Sequence, residues 1–104
     1  MPTLRPRTES SVLVVVDVQP TFLRPIWEAE RVVQRAAFLL EIARLLDVPI
    51  IATEQVPAKM GGSDPQIAHL VGRAIAKSTF GCCEEPEFLH ALHATHRREV
   101  VVVG

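Results

Sequence analysis

The sequence predicts an α/β fold: a three-layer α/β/α, Rossmann-like sandwich built around a parallel sheet. Three observations carry this. Residues 12–16 and 100–103 are apolar without alternation, as strands buried on both faces of a parallel sheet are. Between residues 27 and 46 the apolar positions instead recur every three or four residues, as on one face of a helix. Strand-like and helix-like segments then alternate in the order β-α-β-α-β-α-β, which calls for right-handed crossovers between parallel strands.

Taken in order, residues 1–11 are polar, with prolines at positions 2 and 6, and are expected to be a flexible leader to a domain over residues 12–104. Val12 opens the first strand, which ends at Asp17. Gln19, Pro20 and Pro25 break it into a loop. The helix over residues 27–46 places Ala29, Val33, Ala36, Leu40 and Ala43 on its inner face. Pro49 is tolerable at the start of a second strand over residues 50–53, because a first residue need not donate to the ladder. Residues 54–63, with Pro57, Gly61 and Gly62, are too irregular for an element. Asp64 and Pro65 supply an N-cap acceptor and a first-turn proline for a short helix to Gly72. A small strand over residues 74–76 leads to Lys77. Glu84, Glu85 and Glu87 put negative charge at the start of a last helix, which runs to about His96. Trp27, Phe38 and Phe88 are expected in the core.

Composition narrows the function. The 104 residues suffice for one domain, burying roughly 65% of the unfolded surface. Hydrophobic residues at 48% against 22% charged exclude a disordered chain. Eleven basic against twelve acidic residues give a net charge of −1, and no basic block is present, which argues against a nucleic-acid binder. The longest apolar runs fall far short of the roughly 20 residues that cross a bilayer. Residues 1–11 lack the apolar region of a signal peptide. Cys82 and Cys83 are adjacent and cannot frame a fold with disulfides. A cytoplasmic protein is expected. The final valine run is as apolar as the first strand, so both are expected inside the sheet, with neighbours that these residues do not supply. The sandwich therefore reads as incomplete: a fragment, a truncated product, or a chain completed by something else.

Candidate chemistry gathers where strands end. Asp17 follows five apolar strand residues, at the sheet edge where open α/β folds place their sites. Its plainer role would be to cap the next helix. Lys77 stands similarly after the third strand, with a surface lysine as the plainer alternative. Opposite charges at one sheet edge say more together than apart. Phe22 and Phe80 lie in loops after strands and can line a pocket. Other motifs fail. Ala76 occupies the glycine position of a phosphate-binding loop, and a receiver domain would need an acidic pair after the first strand. His90, His93 and His96 recur every three residues without a ligand pattern, so a solvated helix flank is expected. Cys82 and Cys83 have no adjacent histidine or CxxC spacing and are expected to be inert thiols.

The segment from Leu13 to Phe22, with Asp17, Gln19 and Phe22 as D-x-Q-x-x-F, resembles the opening of isochorismatase-like cysteine hydrolases. Thr53, Glu54, Gln55 and Pro57 are similar to the T-E-Q-x-P segment of the family's non-metal branch. Lys77 to Gly81 is similar to the segment carrying the family's lysine, and residues 101–104 to the strand and glycine that introduce its G-x-E-x-x-x-C loop. The resemblance runs from Ser11 onward. It implies hydrolysis of a small amide or related C–N or ether substrate through an Asp-Lys-Cys triad. Asp17 would be the general base and Lys77 the cation favouring the thiolate, with Gln19, Phe22 and Phe80 at the substrate. The matching cysteine falls beyond Gly104, and neither Cys82 nor Cys83 takes its position. The D-x-H segment of zinc-dependent relatives is replaced by Glu54, Gln55 and Val56, so no catalytic zinc or other cofactor is expected. The expected partners are a small-molecule substrate in a longer form and further copies of the chain. A non-catalytic binding or assembly module, or an inactive truncated product, is the alternative.

Overall fold

The computed structural model of the chain describes residues 5–104. Its strands β1 (Ser11–Val16), β2 (Ile50–Gln55), β3 (Ile75–Lys77) and β4 (Glu99–Val103) are all parallel and lie in the order β3-β2-β1-β4. Between them run the helices α1 (Pro20–Leu23), α2 (Ala29–Leu45), α3 (Pro57–Met60), α4 (Pro65–Val71) and α5 (Pro86–Ala94). The expected α/β class and parallel sheet are present.

Because side chains alternate along a strand, β1 divides its valines between two cores. Leu13 and Val15 join Ala52 under α2 and α4, where Val33, Ala36, Leu40, Ile67 and Leu70 are buried. Val12 and Val14 join Ile51 and Ile75 on the opposite face, where α5 contributes Phe88. Helices thus cover both faces of the sheet. Removing an aliphatic side chain such as Leu40 from water contributes roughly 1.5–3 kcal/mol.

Element ends depart from the sequence pattern for identifiable reasons. Helix α2 starts at Ala29, two residues late, because Glu28 adopts the left-handed conformation at φ 54°. Trp27 consequently precedes the helix and is 84% exposed. Phe38 is also exposed, since it lies two residues from both Ala36 and Leu40 and so points away from their face. Of the three aromatics expected in the core, only Phe88 is there. Helix α5 waits until Pro86 because the residue before a proline is pushed out of the helical region, and Glu85 is extended. Cys82–Glu84 form a single 3₁₀ turn instead. At the far end the helix stops at Ala94, where the Thr95 hydroxyl donates to the Leu92 carbonyl at 2.7 Å and His96 turns left-handed.

One larger expectation changes. The leader is tied to the sheet from Thr8 onward: the Ser10 carbonyl accepts from the Arg98 and Glu99 amides, Arg97 donates to the Thr8 carbonyl, and Ser11 already belongs to β1. Residues 1–4 of that leader lie outside the described residues. Strand β4 pairs with β1 alone among the described residues and so forms an edge, in line with the expectation that these residues do not supply its further neighbour. Val101 and Val103 pack against the core under α2, while Val100 and Val102 are 47% and 62% exposed.

Candidate active site

The carboxyl ends of β1, β2 and β3 bring the sequence-predicted charges together. Lys77 belongs to β3 itself, opposite Gln55 of β2, because the strand runs one residue later than the pattern implies. Strand alternation then buries Ile75, exposes Ala76 and buries Lys77. The Lys77 side chain is 1% exposed, and its Nζ lies 2.9 Å from Asp17 Oδ2. It also donates to Gln55 Oε1 and to the carbonyls of Thr79 and Phe80, at 3.1 and 3.0 Å. A buried ammonium is tolerable only when paired and hydrogen-bonded, and this one is. The segment after β3 curls around it and carries the Phe80 ring out into solvent.

Asp17 sits just past β1 at φ 50°, a conformation that Asp adopts more readily than most residues. Its amide donates to the Thr53 carbonyl, prolonging the β1–β2 ladder. Its Oδ1 accepts from the Thr53 hydroxyl at 2.9 Å, so each carboxylate oxygen has a fixed partner. Each also keeps a further lone pair for a proton. Thr53 is buried, and its orienting role is one that sequence reading missed, although it stands in the motif quoted for the resemblance.

Gln19, expected at the substrate, is fully buried. Its Nε2 donates to the carbonyls of Gln55 and Gly61, and its Oε1 accepts from the Gln55 amide. It binds the loop after β1 to the end of β2. The Thr21 hydroxyl donates to the Met60 carbonyl, and Glu54 Oε2 accepts from both the amide and the hydroxyl of Ser63, so the one-turn α3 is fastened from several sides.

Beside the pair opens a cleft of about 460 Å³, lined by Val16, Asp17, Phe22, Gln55, Val56, Met60, Phe80 and Gly104. Phe22 and Phe80 both line it. Val56 takes the left-handed region at φ 40°, an outlier for a β-branched residue and a strain of order 1–3 kcal/mol. Gly104 also has no substitute: at φ 135° a Cβ would stand 2.1 Å from the Val16 carbonyl oxygen. Neither cysteine lines the cleft; Cys82 packs near Phe88 and Cys83 is exposed. His90, His93 and His96 are all exposed, and among the described residues no three His, Cys, Asp or Glu side chains are grouped as a metal would require. No described helix is long and apolar enough to cross a membrane.

Comparison with known proteins matches the chain to one family. In sequence, the mouse isochorismatase domain-containing protein 2A is 40% identical over 72 residues, 69% of this chain and 35% of its own length. The human isochorismatase domain-containing protein 2 is 39% identical over 71 residues, 68% of this chain and 35% of its own. In structure, the Escherichia coli YcaC gene product, an octameric hydrolase of unknown specificity, superposes with a TM-score of 0.89 at 18% identity, over 98% of this chain and 53% of its own. The MAR1 ribonuclease of Caenorhabditis elegans superposes with a TM-score of 0.86 at 27% identity, over 97% and 53%. The chain thus spans about a third of the length of the curated relatives it matches and about half of these structures. The isochorismatase domain model itself matches residues 11–104, from the first residue of β1 through the glycine after β4, and the chain belongs to that family.

Proposed function

We propose that the chain carries the acid–base half of a cysteine hydrolase site acting on a small amide or related C–N bond, with Asp17 as general base and Lys77 as the fixed cation. The observation that carries this reading is the buried ion pair at the carboxyl edge of the sheet, open to a cleft through Asp17. The nucleophile it serves would be the family's cysteine, which is not one of these 104 residues.

In such a site the thiol proton passes to Asp17 while sulfur bonds to the substrate carbonyl carbon. The C–N bond then breaks, and the amine leaves with the proton held by Asp17. Water attacks the thioester and gives its proton to Asp17. The proton returns to sulfur as the S–C bond breaks. Lys77 has no free donor direction toward the cleft, so its part is electrostatic: its charge lies beside Asp17 and the incoming thiolate. Gln19 and Thr53 hold the frame, and Phe22 and Phe80 flank the substrate.

The 104-residue chain offered a panel of small amides is expected to show no iodoacetamide-sensitive turnover, and Cys82→Ser or Cys83→Ser to change nothing catalytic. Thiol-dependent hydrolysis abolished by either substitution would overturn the assignment. Turnover in a chain that also carries the family's cysteine separates this reading from a binding module, because a module would bind small amides there without any gain of turnover. We place the protein in the cytoplasm, in keeping with two free thiols.

Self-association is part of this reading. It is supported by the half-exposed valines of β4, since an apolar edge strand is a template for another chain, and by the octameric E. coli relative. In sedimentation velocity at micromolar concentration the chain should form species larger than a monomer. Val100→Lys with Val102→Lys should shift it to monomer without loss of stability. Val101→Lys with Val103→Lys should instead lower stability, because those side chains belong to the core. A sharp monomer for the unmodified chain would sink this proposal.

A further inference from the structure

The carboxamide of Gln55 has one end committed and one end free. An ammonium has donors only, so the Gln55 atom facing Lys77 Nζ is necessarily oxygen. That fixes the orientation of the amide group. Its Nε2 has no hydrogen-bond partner among the described residues, and Gln55 lines the cleft beside Asp17. The rest of that wall is largely apolar, with Phe22, Val56, Met60 and Phe80.

Charge narrows what this donor meets. No Arg, Lys or His is among the residues lining the cleft. Lys77 is buried and has four acceptors for its three protons, so it offers nothing to a ligand. Among the described side chains lining the cleft, the anionic one is Asp17, whose charge is already balanced by Lys77; a chain ending at Gly104 adds its α-carboxylate at the rim. An anionic ligand entering here would lose hydration with no cation to replace it, whereas a neutral carbonyl compound needs one donor and an apolar surround.

We infer that Gln55 is a specificity-determining residue whose Nε2 donates to the carbonyl oxygen of a neutral small amide, and that the cleft discriminates against carboxylates. This rests on the reading of the cleft as a hydrolase site and names the substrate class for it. Gln19, which the motif places nearest to Asp17, is excluded from that contact by its burial.

The test uses the 104-residue chain, ¹⁵N-labelled and with Gly104 amidated so that no terminal carboxylate repels benzoate, titrated with benzamide and with benzoate while the Gln55 side-chain amide signals are followed by NMR. Benzamide is expected to shift those signals and to bind at least about tenfold more tightly than benzoate, the scale on which an unmatched polar group is rejected. Gln55→Glu keeps an oxygen for Lys77 and removes the donor; it should weaken benzamide by about tenfold or more while the backbone spectrum stays dispersed. Binding of benzoate as tight as benzamide, unchanged benzamide binding in Gln55→Glu, or no shift of the Gln55 amide by benzamide would each overturn the inference. None of these measurements involves a nucleophile. Failure of hydrolysis with amide selectivity intact would therefore count against the catalytic reading alone, and loss of selectivity in a chain that hydrolyses amides would count against Gln55 alone.

Discussion

Replacing Lys77 by alanine is expected to lower the unfolding free energy by about 3 kcal/mol, the low end of what removing one partner of a buried ion pair costs. The low end applies because Asp17 is 22% exposed and can recover some water, whereas Lys77 cannot. Three further acceptors lose their donor at once: Gln55 Oε1 and the carbonyls of Thr79 and Phe80. Against a total stability of about 5–15 kcal/mol this is a large fraction, and it corresponds to a melting temperature lower by at least about 12 °C in a domain of this size. The expectation from sequence alone is the opposite, since a lysine just past a strand end should be dispensable for folding. Burial within β3 reverses it. Urea unfolding with an unchanged m-value measures the loss. Asp17→Asn with Lys77→Met removes both charges together and should cost less than Lys77→Ala, because no uncompensated charge remains. A Lys77→Ala variant within about 0.5 kcal/mol of the parent would show that the pair contributes nothing to the fold.

The same residue thus serves packing and the site, and that overlap explains which features could be read from sequence. The valines of β1 and the inner face of α2 are legible because burial on a strand or a helix follows a fixed period. Asp17 and Lys77 are legible as a pair because parallel sheets collect functional groups at one edge. The fate of the two glutamines is not. Gln19 follows Asp17 by two residues and Gln55 follows Thr53 by two in their motifs, yet one is sealed in the loop junction by groups 36 and 42 positions away. The other keeps half its amide free. Only the closing of the α3 loop decides between them. The run Val100–Val103 is as apolar as Val12–Val16 and reads as a strand short of a neighbour, but composition reports hydrophobicity and not the partner strand, so the pairing of β4 with β1 is visible only in the sheet. Left-handed Glu28 and Val56 carry no sequence signal at all, being neither glycine nor asparagine. They set where α2 begins and where the cleft turns.

In a chain that carries the family's cysteine together with this domain, Asp17→Asn is expected to reduce the rate by at least about 10²-fold, the usual contribution of a proton-transfer group. Asparagine is the informative replacement. It tolerates φ 50° and keeps one oxygen to face Lys77, while its Nδ2 can donate to the Thr53 hydroxyl; it removes the basic lone pairs together with the charge that balances Lys77, so part of its effect falls on stability. Asp17→Ala would add a cost of roughly 1–2 kcal/mol for a side chain that disfavours the left-handed region, mixing folding with catalysis. A group that acts only in the transition state lowers kcat and kcat/KM together, whereas one that only binds substrate raises KM at constant kcat. Asp17→Asn should therefore leave KM near the parent value, and the loss should appear in kcat at a temperature where both proteins are folded. Thr53→Val offers the complementary measurement, since it removes the hydroxyl that fixes Asp17 Oδ1 while leaving the carboxylate in place. Its rate should fall between those of the parent and Asp17→Asn, and Thr53→Ser should restore it. Full rate in Asp17→Asn would remove Asp17 from the proton path and leave the ion pair as an element of folding alone.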